Sequence, residues 1–393
     1  MKVLRPDAGG VTGAEFELFQ PEHEELRTHV RAFVEKELLP NSRQWEKDEA
    51  FPKDLFKRVG DLGFFGMKYP GSVGGSGPDF LADAVVTEEF ARAGSAGVSA
   101  SLGAHKDLAT LYVHNFGTDE QHHRWLVPAL KGDLVGALGV TEPDAGSDVA
   151  AIKTRATREG DDWVLNGAKL FITNGAWADF VVVAAKTDPE GGHGGITLFV
   201  VDADTPGFSA RKIRMLGWRS GATGELSFSD VRVPDSNRLG DEGSGFLAIM
   251  NNFAWERLIM ALAQVSGAQM AYDVAKAYAL DRTAFGRPVG KFQVWRHRFA
   301  DMATKIEAGR ALTYNALRLH IAGENPIREV SMAKLYTSEV AVHVADECVQ
   351  IHGGHGYTTE FPAERALRDA RLGPIGGGTS EIMKEIIGKT YGL

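Results

Sequence analysis

The chain has 393 residues, 44% of them apolar, enough for two or three packed domains with sizeable cores. Its 43 Lys and Arg against 52 Asp and Glu give a net charge of −9 with no basic stripe, so no nucleic-acid surface is expected. No apolar run reaches the roughly 18 residues that a spanning helix needs, and the lone Cys348 cannot form an internal disulfide, so no membrane contact and a reducing, cytoplasmic setting are expected.

Residues 1–16, which include MKVLRPDAGGVTG, lack the apolar segment of a secretory leader and read as a flexible lead-in. The next stretch is helical. In PEHEELRTHVRAFVEKELLP, Leu26, Val30, Phe33, Val34 and Leu38 recur at helical spacing, with Pro21 suited to a first turn. DFLADAVVTEEFARAG and DEQHHRWLVPALKG repeat that pattern, each ending near a glycine. Near residue 134 the period changes. LVGALGVTE, DWVLNG, KLFITNG, DFVVVAAKT and GITLFVVD are short β-branched or aromatic runs divided by Gly, Asn and Asp, which predicts a small barrel or sandwich. From about Gly243 the helical period returns, in a stretch of close to forty residues with no proline. The histidines in QHHRW and IHGGHG have no partner ligands at useful spacing, so no metal site is expected.

Several segments carry more than fold. LGVTEPDAGSD leaves the first strand through small residues, which let backbone N–H groups approach a ligand and equally suit an ordinary tight turn. KLFITNG is a strand before an Asn-Gly turn, by itself a hairpin signal. DRTAFGRPVGKFQ breaks a helix, and its Arg282 and Arg287 could meet phosphates or simply be exposed. QIHGGHGY and RLGPIGGGTSEIM are glycine-dense within a helical region, where a linker is the plainer reading.

In order and spacing, GVTEPDAGSD, NGAKLFITNG, the ER pair of FAWERL, DRTAFGRPVGKFQ, QIHGGHGY and RDARLGPIGGGTSEIMKEII resemble the acyl-CoA dehydrogenase family over roughly residues 20–393. The resemblance implies an α+β fold: an N-terminal helical domain over 17–134, a middle β-barrel over 135–238 and a C-terminal four-helix bundle over 239–393. It implies FAD held between barrel and bundle across a subunit interface, in a tetramer built as a dimer of dimers. Carried over residue by residue, Val140, Thr141 and Ser147 would line the flavin and the start of the thioester tail. Phe171, Ile172 and Thr173 would sit against the isoalloxazine, Phe171 standing where many relatives have Trp. Arg282, Phe285 and Gln293, with Gln350, Gly353 and Gly354, would reach the neighbouring subunit's FAD. Thr379 and Glu381 would close over it from the last loop.

The family reaction removes a proton from the α carbon and a hydride from the β carbon of an acyl thioester. A buried carboxylate is a stronger base, and hydrogen bonds to the thioester carbonyl stabilise the developing enolate. Many members place that base as Glu in a loop matching Gly376, Gly377, Gly378 and Thr379 here; Gly377 stands at the glutamate and Gly376 at the aromatic before it. The isovaleryl-CoA and long-chain branches instead place the base in the ER pair of the long helix. Here Glu256 falls in line with Ile249, Phe253 and Met260 on one helix face, which makes it the expected base. Glu381, one helical step beyond Gly377, is the rival. Arg257, Ser147, Gly377 and Gly378 are expected to meet the substrate. The missing loop side chains suggest room for a branched or bulky acyl group. Ala254 and Trp255 stand where many relatives have an acid that contacts pantetheine, which leaves an acyl-carrier-protein thioester as an alternative. The leading expectation is an FAD-dependent acyl-CoA dehydrogenase passing electrons to an electron-transfer flavoprotein. A flavin monooxygenase or oxidase on the same fold, and a flavin-free binding protein, are the other readings.

Overall fold

The computed structural model describes residues 18–393, and the lead-in expected over 1–16 lies outside them. The order of elements is the expected one: helices between Pro21 and Leu130, strands between Gly136 and Leu239, and helices again from Gly245. Two compact units form. One gathers the described residues up to Arg43 with Ala84–Ser95 and Arg257–Leu393; the other gathers Gln44–Asp83 and Ala96–Glu256. The Gly245–Asp281 helix contributes to both, dividing between Glu256 and Arg257.

In the strand-bearing unit, eight strands form one sheet: β1 (Gly136–Gly139), β2 (Arg155–Glu159), β3 (Asp162–Ile172), β4 (Phe180–Lys186), β5 (Ile196–Asp202), β6 (Phe208–Lys212), β7 (Gly224–Pro234) and β8 (Arg238–Leu239). Their order is β6-β7-β3-β2-β4-β5-β8, with β1 lying parallel beside β4. The sheet curls around one core, because Ala137, Ala156, Trp163, Leu165, Val181, Val183, Phe199, Val201, Leu226 and Phe228, from β1 and five of the other strands, pack into a single cluster. Sequence pattern and position agree. FVVVAA of β4 is buried on both faces and has strand partners on both edges, whereas β7 alternates buried and exposed residues. The Asn-Gly turn is not a hairpin: β3 and β4 flank it but are separated by β2. Asn174 sits buried at φ 65°, where its side chain donates to Ser101 O at 2.8 Å. Asn tolerates that left-handed conformation, so the same dipeptide that favours hairpins here closes a turn onto a helix.

The other unit is helical. Ala268, Ala271, Ala275 and Ala279 recur along the long helix and pack with Met302, Ile306, Val340, Val344 and Cys348. Those come from the Gln293–Ile321 and Ile327–His352 helices, and Ile327–His352 also packs on Pro362–Ala370 and Ser380–Thr390. Small residues at this spacing let the helices approach closely. Arg27 meets Glu88 at 2.7 Å, Arg31 meets Glu89 at 2.6 Å, and Tyr314 donates to Glu88 at 2.8 Å, so the two buried carboxylates are compensated.

One imidazole joins helix to sheet. His105 is fully buried; its Nε2 donates to Ala129 O at 2.9 Å and its Nδ1 accepts from Gly136 N at 3.1 Å, at the start of β1. Both nitrogens are used by the neutral ring, and burial pushes the pKa down to about 4. The folded pKa lies below that of the unfolded chain, so the unfolded state binds the extra proton between about pH 6.5 and 4. This contribution is complete above pH 6.5 and is lost as pH falls through that window, to a limit on the order of 3 kcal/mol. Urea midpoints measured from pH 8 to 4 should therefore fall more steeply for the parent than for His105→Gln.

Candidate active site

Some of the residues expected near a flavin follow the end of β1 and the end of β3. The segment leaving β1 carries Val140 and Thr141, and Leu170 N donates to Thr141 O at 2.9 Å, which sets it beside the end of β3. There the pairing of β3 with β7 slips between Lys169 and Ile172. Phe171 sits in that irregularity at φ 61°, with its ring 55% exposed. A non-glycine residue held in the left-handed region is strained, and such strain concentrates at ligand sites. Ile172 turns its side chain into the sheet core and its carbonyl accepts from Gly175 N at 2.9 Å, while Ser147 is exposed on the loop. Below this surface lies a buried ion pair that the motif reading did not include. Lys169 Nζ meets Glu142 Oε1 at 2.7 Å and donates to Val140 O at 3.0 Å, while Glu142 accepts from the backbone N of Lys153 and of Thr154. Burial pushes Lys169 down to about 8 against the pull of Glu142. Burial favours a higher Glu142 pKa, but the Lys169 ammonium outweighs it and holds the carboxyl below its ordinary value.

In the helical unit a second group assembles. Thr283–Ala284 and Arg287–Pro288 form a short hairpin that leaves Arg282 exposed and Phe285 95% exposed at φ 51°. Gln293 is exposed at the start of its helix. Gln350 is exposed near the end of the Ile327–His352 helix, which stops at Gly353 with φ 57°. Among the described residues, leaving aside the glycine's chain neighbours and its own helix backbone, no heavy atom lies within 4 Å of where a Cβ would stand on Gly353 or Gly354. Tyr278 joins these two places: its backbone O accepts from Arg282 N at 2.8 Å, and its hydroxyl donates to His352 O at 3.3 Å while its ring stacks on His352.

The triple-glycine segment has backbone reasons for its composition. Gly377 and Gly378 lie at φ 62° and 98°, where L side chains are strained. Arg257 Nε donates to Gly377 O at 3.4 Å and Lys334 Nζ donates to Gly378 O. Thr379 then caps the last helix, its hydroxyl accepting from Ile382 N. Glu381 is exposed in the first turn, and hydrogen bonds from its own backbone N–H and from Thr379 lower its pKa. A solvated carboxylate stabilised in its charged form is a weak base.

Glu256 has the opposite surroundings. It is only 7% exposed, and Tyr112 Oη donates to its Oε1 at 2.9 Å. One turn earlier, Asn252 Oδ1 accepts from Asn115 Nδ2 at 2.9 Å, so the same two helices are bonded at two levels. Trp255 Nε1 donates to Asp107 Oδ1 at 3.0 Å. Asp107 belongs to a buried quartet in which Lys68 contacts Asp107 at 2.6 Å and Asp83 at 3.1 Å, and Lys106 contacts both acids. Burial favours a higher Asp107 pKa, but the Lys106 and Lys68 ammoniums prevail and hold it well below the usual carboxylate range. None of these four charges was legible as a motif.

Three consecutive matches cover the chain: the acyl-CoA dehydrogenase N-terminal domain over residues 20–133, the middle domain over 137–231 and the C-terminal domain over 243–392. The protein belongs to the acyl-CoA dehydrogenase family. It is 39% identical over 376 residues to the mitochondrial long-chain specific acyl-CoA dehydrogenase of Mus musculus, covering 95% of this chain and 87% of that one. It is 41% identical over 366 residues to the mitochondrial short-chain specific enzyme of Homo sapiens, covering 93% and 89%. Identity alone therefore does not choose a chain length. An acyl-CoA dehydrogenase from Geobacillus kaustophilus superposes with a TM-score of 0.93 at 41% identity, covering 96% of this chain and all of that one. The prolyl acyl carrier protein oxidase AnaB superposes with a TM-score of 0.90 at 32% identity, covering 95% and 100%.

Acyl-CoA dehydrogenases are flavoproteins, and the residues present fit FAD. In the strand-bearing unit the exposed, left-handed Phe171 would suit the face of a planar ring, and, taken by themselves in the helical unit, the exposed Arg282 and the open backbone at Gly353 and Gly354 would suit an anionic group. The ion pair beneath Val140 and β3 gives a direct test of how that dehydrogenase surface is built. Lys169→Met leaves the Glu142 carboxylate buried without its cation, which is expected to cost roughly 3–5 kcal/mol in chemical denaturation. The Glu142→Gln, Lys169→Met double variant should recover part of the loss, because no charge is left buried alone.

Proposed function

We propose that this acyl-CoA dehydrogenase removes hydrogen across the Cα–Cβ bond of an acyl-CoA thioester, with Glu256 taking the α proton. The observation that carries the proposal is a pairing of absence and presence. The loop position where many relatives hold the base is a glycine at φ 62°, while a buried carboxylate bonded to Tyr112 stands in the helix at the alternative position. Tyr112 fixes the carboxylate's orientation, and burial excludes the water that would otherwise solvate it. Glu381 is set aside as base by its exposure and its lowered pKa.

When bound, FAD supplies the two-electron acceptor that takes the hydride from Cβ. Val140, Thr141, Ser147, Phe171, Ile172 and Thr173 are assigned to its ring and to the neighbouring thioester, with Thr379 and Glu381 closing the last loop. Arg282, Phe285, Gln293, Gln350, Gly353 and Gly354 are assigned to the cofactor of a second copy. Their exposure supports that assignment, as does an isolated hairpin presenting Phe285 to solvent, and with it a tetrameric dimer of dimers. Arg257 and Gly378 are assigned to the substrate side. Electrons then pass to an electron-transfer flavoprotein.

An acyl chain branched or bulky near the carbonyl is favoured by Gly376, where an added Cβ would meet nothing closer than 3.7 Å. A carrier-protein thioester is the second reading, supported by Ala254 and Trp255 at the expected pantetheine acid and by the likeness to a carrier-protein oxidase.

Anaerobic mixing with a panel of acyl-CoAs should bleach the flavin absorbance. Glu256→Gln should slow that bleaching roughly a hundredfold or more, and Glu381→Gln should leave it within a few fold. Reduction of Glu256→Gln at the parent rate would remove Glu256 as the base. Rapid peroxide formation when air is admitted would instead mark an oxidase.

A further inference from the structure

Within the strand-bearing unit, the bond to Glu256 is one of two that join the same pair of helices. Tyr112 and Asn115 lie three residues apart on the Thr110–Phe116 helix, and Asn252 and Glu256 lie four apart on the long helix. At those spacings each pair shares one helix face. Tyr112 Oη donates to Glu256 Oε1 at 2.9 Å, and Asn115 Nδ2 donates to Asn252 Oδ1 at 2.9 Å. The later residue of one helix meets the earlier residue of the other, so the two helices run antiparallel. One bond would let the long helix turn about it; two bonds a turn apart fix both its rotation and its height.

The second bond is a poor choice for stability alone. Asn252 is 4% exposed, and its Nδ2 is buried with no hydrogen-bond partner among the described residues. A buried donor left unmet costs stability, and a leucine of similar shape would avoid that cost. The helix does not depend on this bond to stay docked, because Trp255, about 100° further round it, is tied to Asp107.

We propose that Tyr112 and Asn252 are positioning residues for the α-proton transfer: the two bonds set the rotation at which the long helix presents its carboxylate, and Tyr112 acts through Glu256. The inference rests on the reading of Glu256 as base. A base works only within hydrogen-bond reach of the proton it takes, and a misplacement of about 1 Å can cost about a hundredfold in rate. The Tyr112 hydroxyl and ring have separable roles. The ring packs on Phe116 with centroids 6.2 Å apart, so Tyr112→Phe removes the donor and keeps the packing.

The test uses the flavin-loaded protein, mixed anaerobically with the acyl-CoA that reduces the parent fastest. Tyr112→Phe should lower the limiting rate of flavin reduction about tenfold, with the half-saturating substrate concentration within about twofold of the parent. In a Glu256→Gln background the same change should slow reduction less than about twofold, because its effect passes through the carboxylate. Asn252→Leu should lower the limiting rate at least about threefold, while its Tm rises or stays within about 2 °C of the parent. A tenfold loss from Tyr112→Phe in both backgrounds, or a changed half-saturation with the limiting rate intact, would make Tyr112 a packing residue and overturn the proposal. Parent-like reduction by Asn252→Leu would remove Asn252 from it. If Glu256→Gln alone reduces at the parent rate, the base reading fails and takes the proposal with it; if Glu256→Gln is slow and Tyr112→Phe is not, only the proposal falls.

Discussion

A carboxylate buried on a helix is unstable unless its surroundings are arranged for it, and the strand-bearing unit is organised around that requirement at Glu256. Tyr112 gives the carboxylate a hydrogen bond, and Asn115 bonds Asn252 one turn away, so the helix carrying Glu256 is fixed at two levels. Trp255, its immediate neighbour, is tied to Asp107. Asp107 is itself buried, and it is tolerable only because Lys68 and Lys106 alternate with Asp83 and Asp107 to cancel charge. Such a quartet adds little net stability over a well-packed apolar core. What it supplies is direction, since charged partners with few alternatives fix the helix more narrowly than greasy contacts would.

The same logic recurs beneath the surface assigned to the flavin. Val140 and Thr141 leave one strand and Phe171 ends another, and either segment alone would be an ordinary edge. The Glu142–Lys169 pair binds both, and Glu142 also gathers the backbone of Lys153 and Thr154 at the approach to β2. Three segments meet on one carboxylate. Phe171 can then be held in a left-handed conformation, because the residue two before it is anchored and the residue after it is locked in the core.

The triple-glycine loop follows a different economy. It is not a flexible hinge: two of its carbonyls are held by Arg257 and Lys334, and the residue after it caps a helix. Glycine is required there because the backbone turns left-handed twice in succession. A Cβ at Gly376 would stand in ordinary contact with Leu372 and Met260, and one at Gly377 would meet the flexible end of Met260.

Much of this was legible in the sequence. The change of period near residue 134 and its return near 243 located the strands between two helical stretches, because burial periodicity is a local property. The ordered motifs identified the family, and FAWERL placed Glu256 in line with apolar residues, as its burial bears out. The Asn-Gly turn misled, since turn chemistry is local while strand partners are chosen by the whole sheet, which inserted β2 between β3 and β4. The pairs Glu142–Lys169 and Lys68–Asp107 were invisible for the same reason. A lone Lys or Asp in a sequence reads as solvated surface, and only folding shows which charges are removed from water and must therefore find each other.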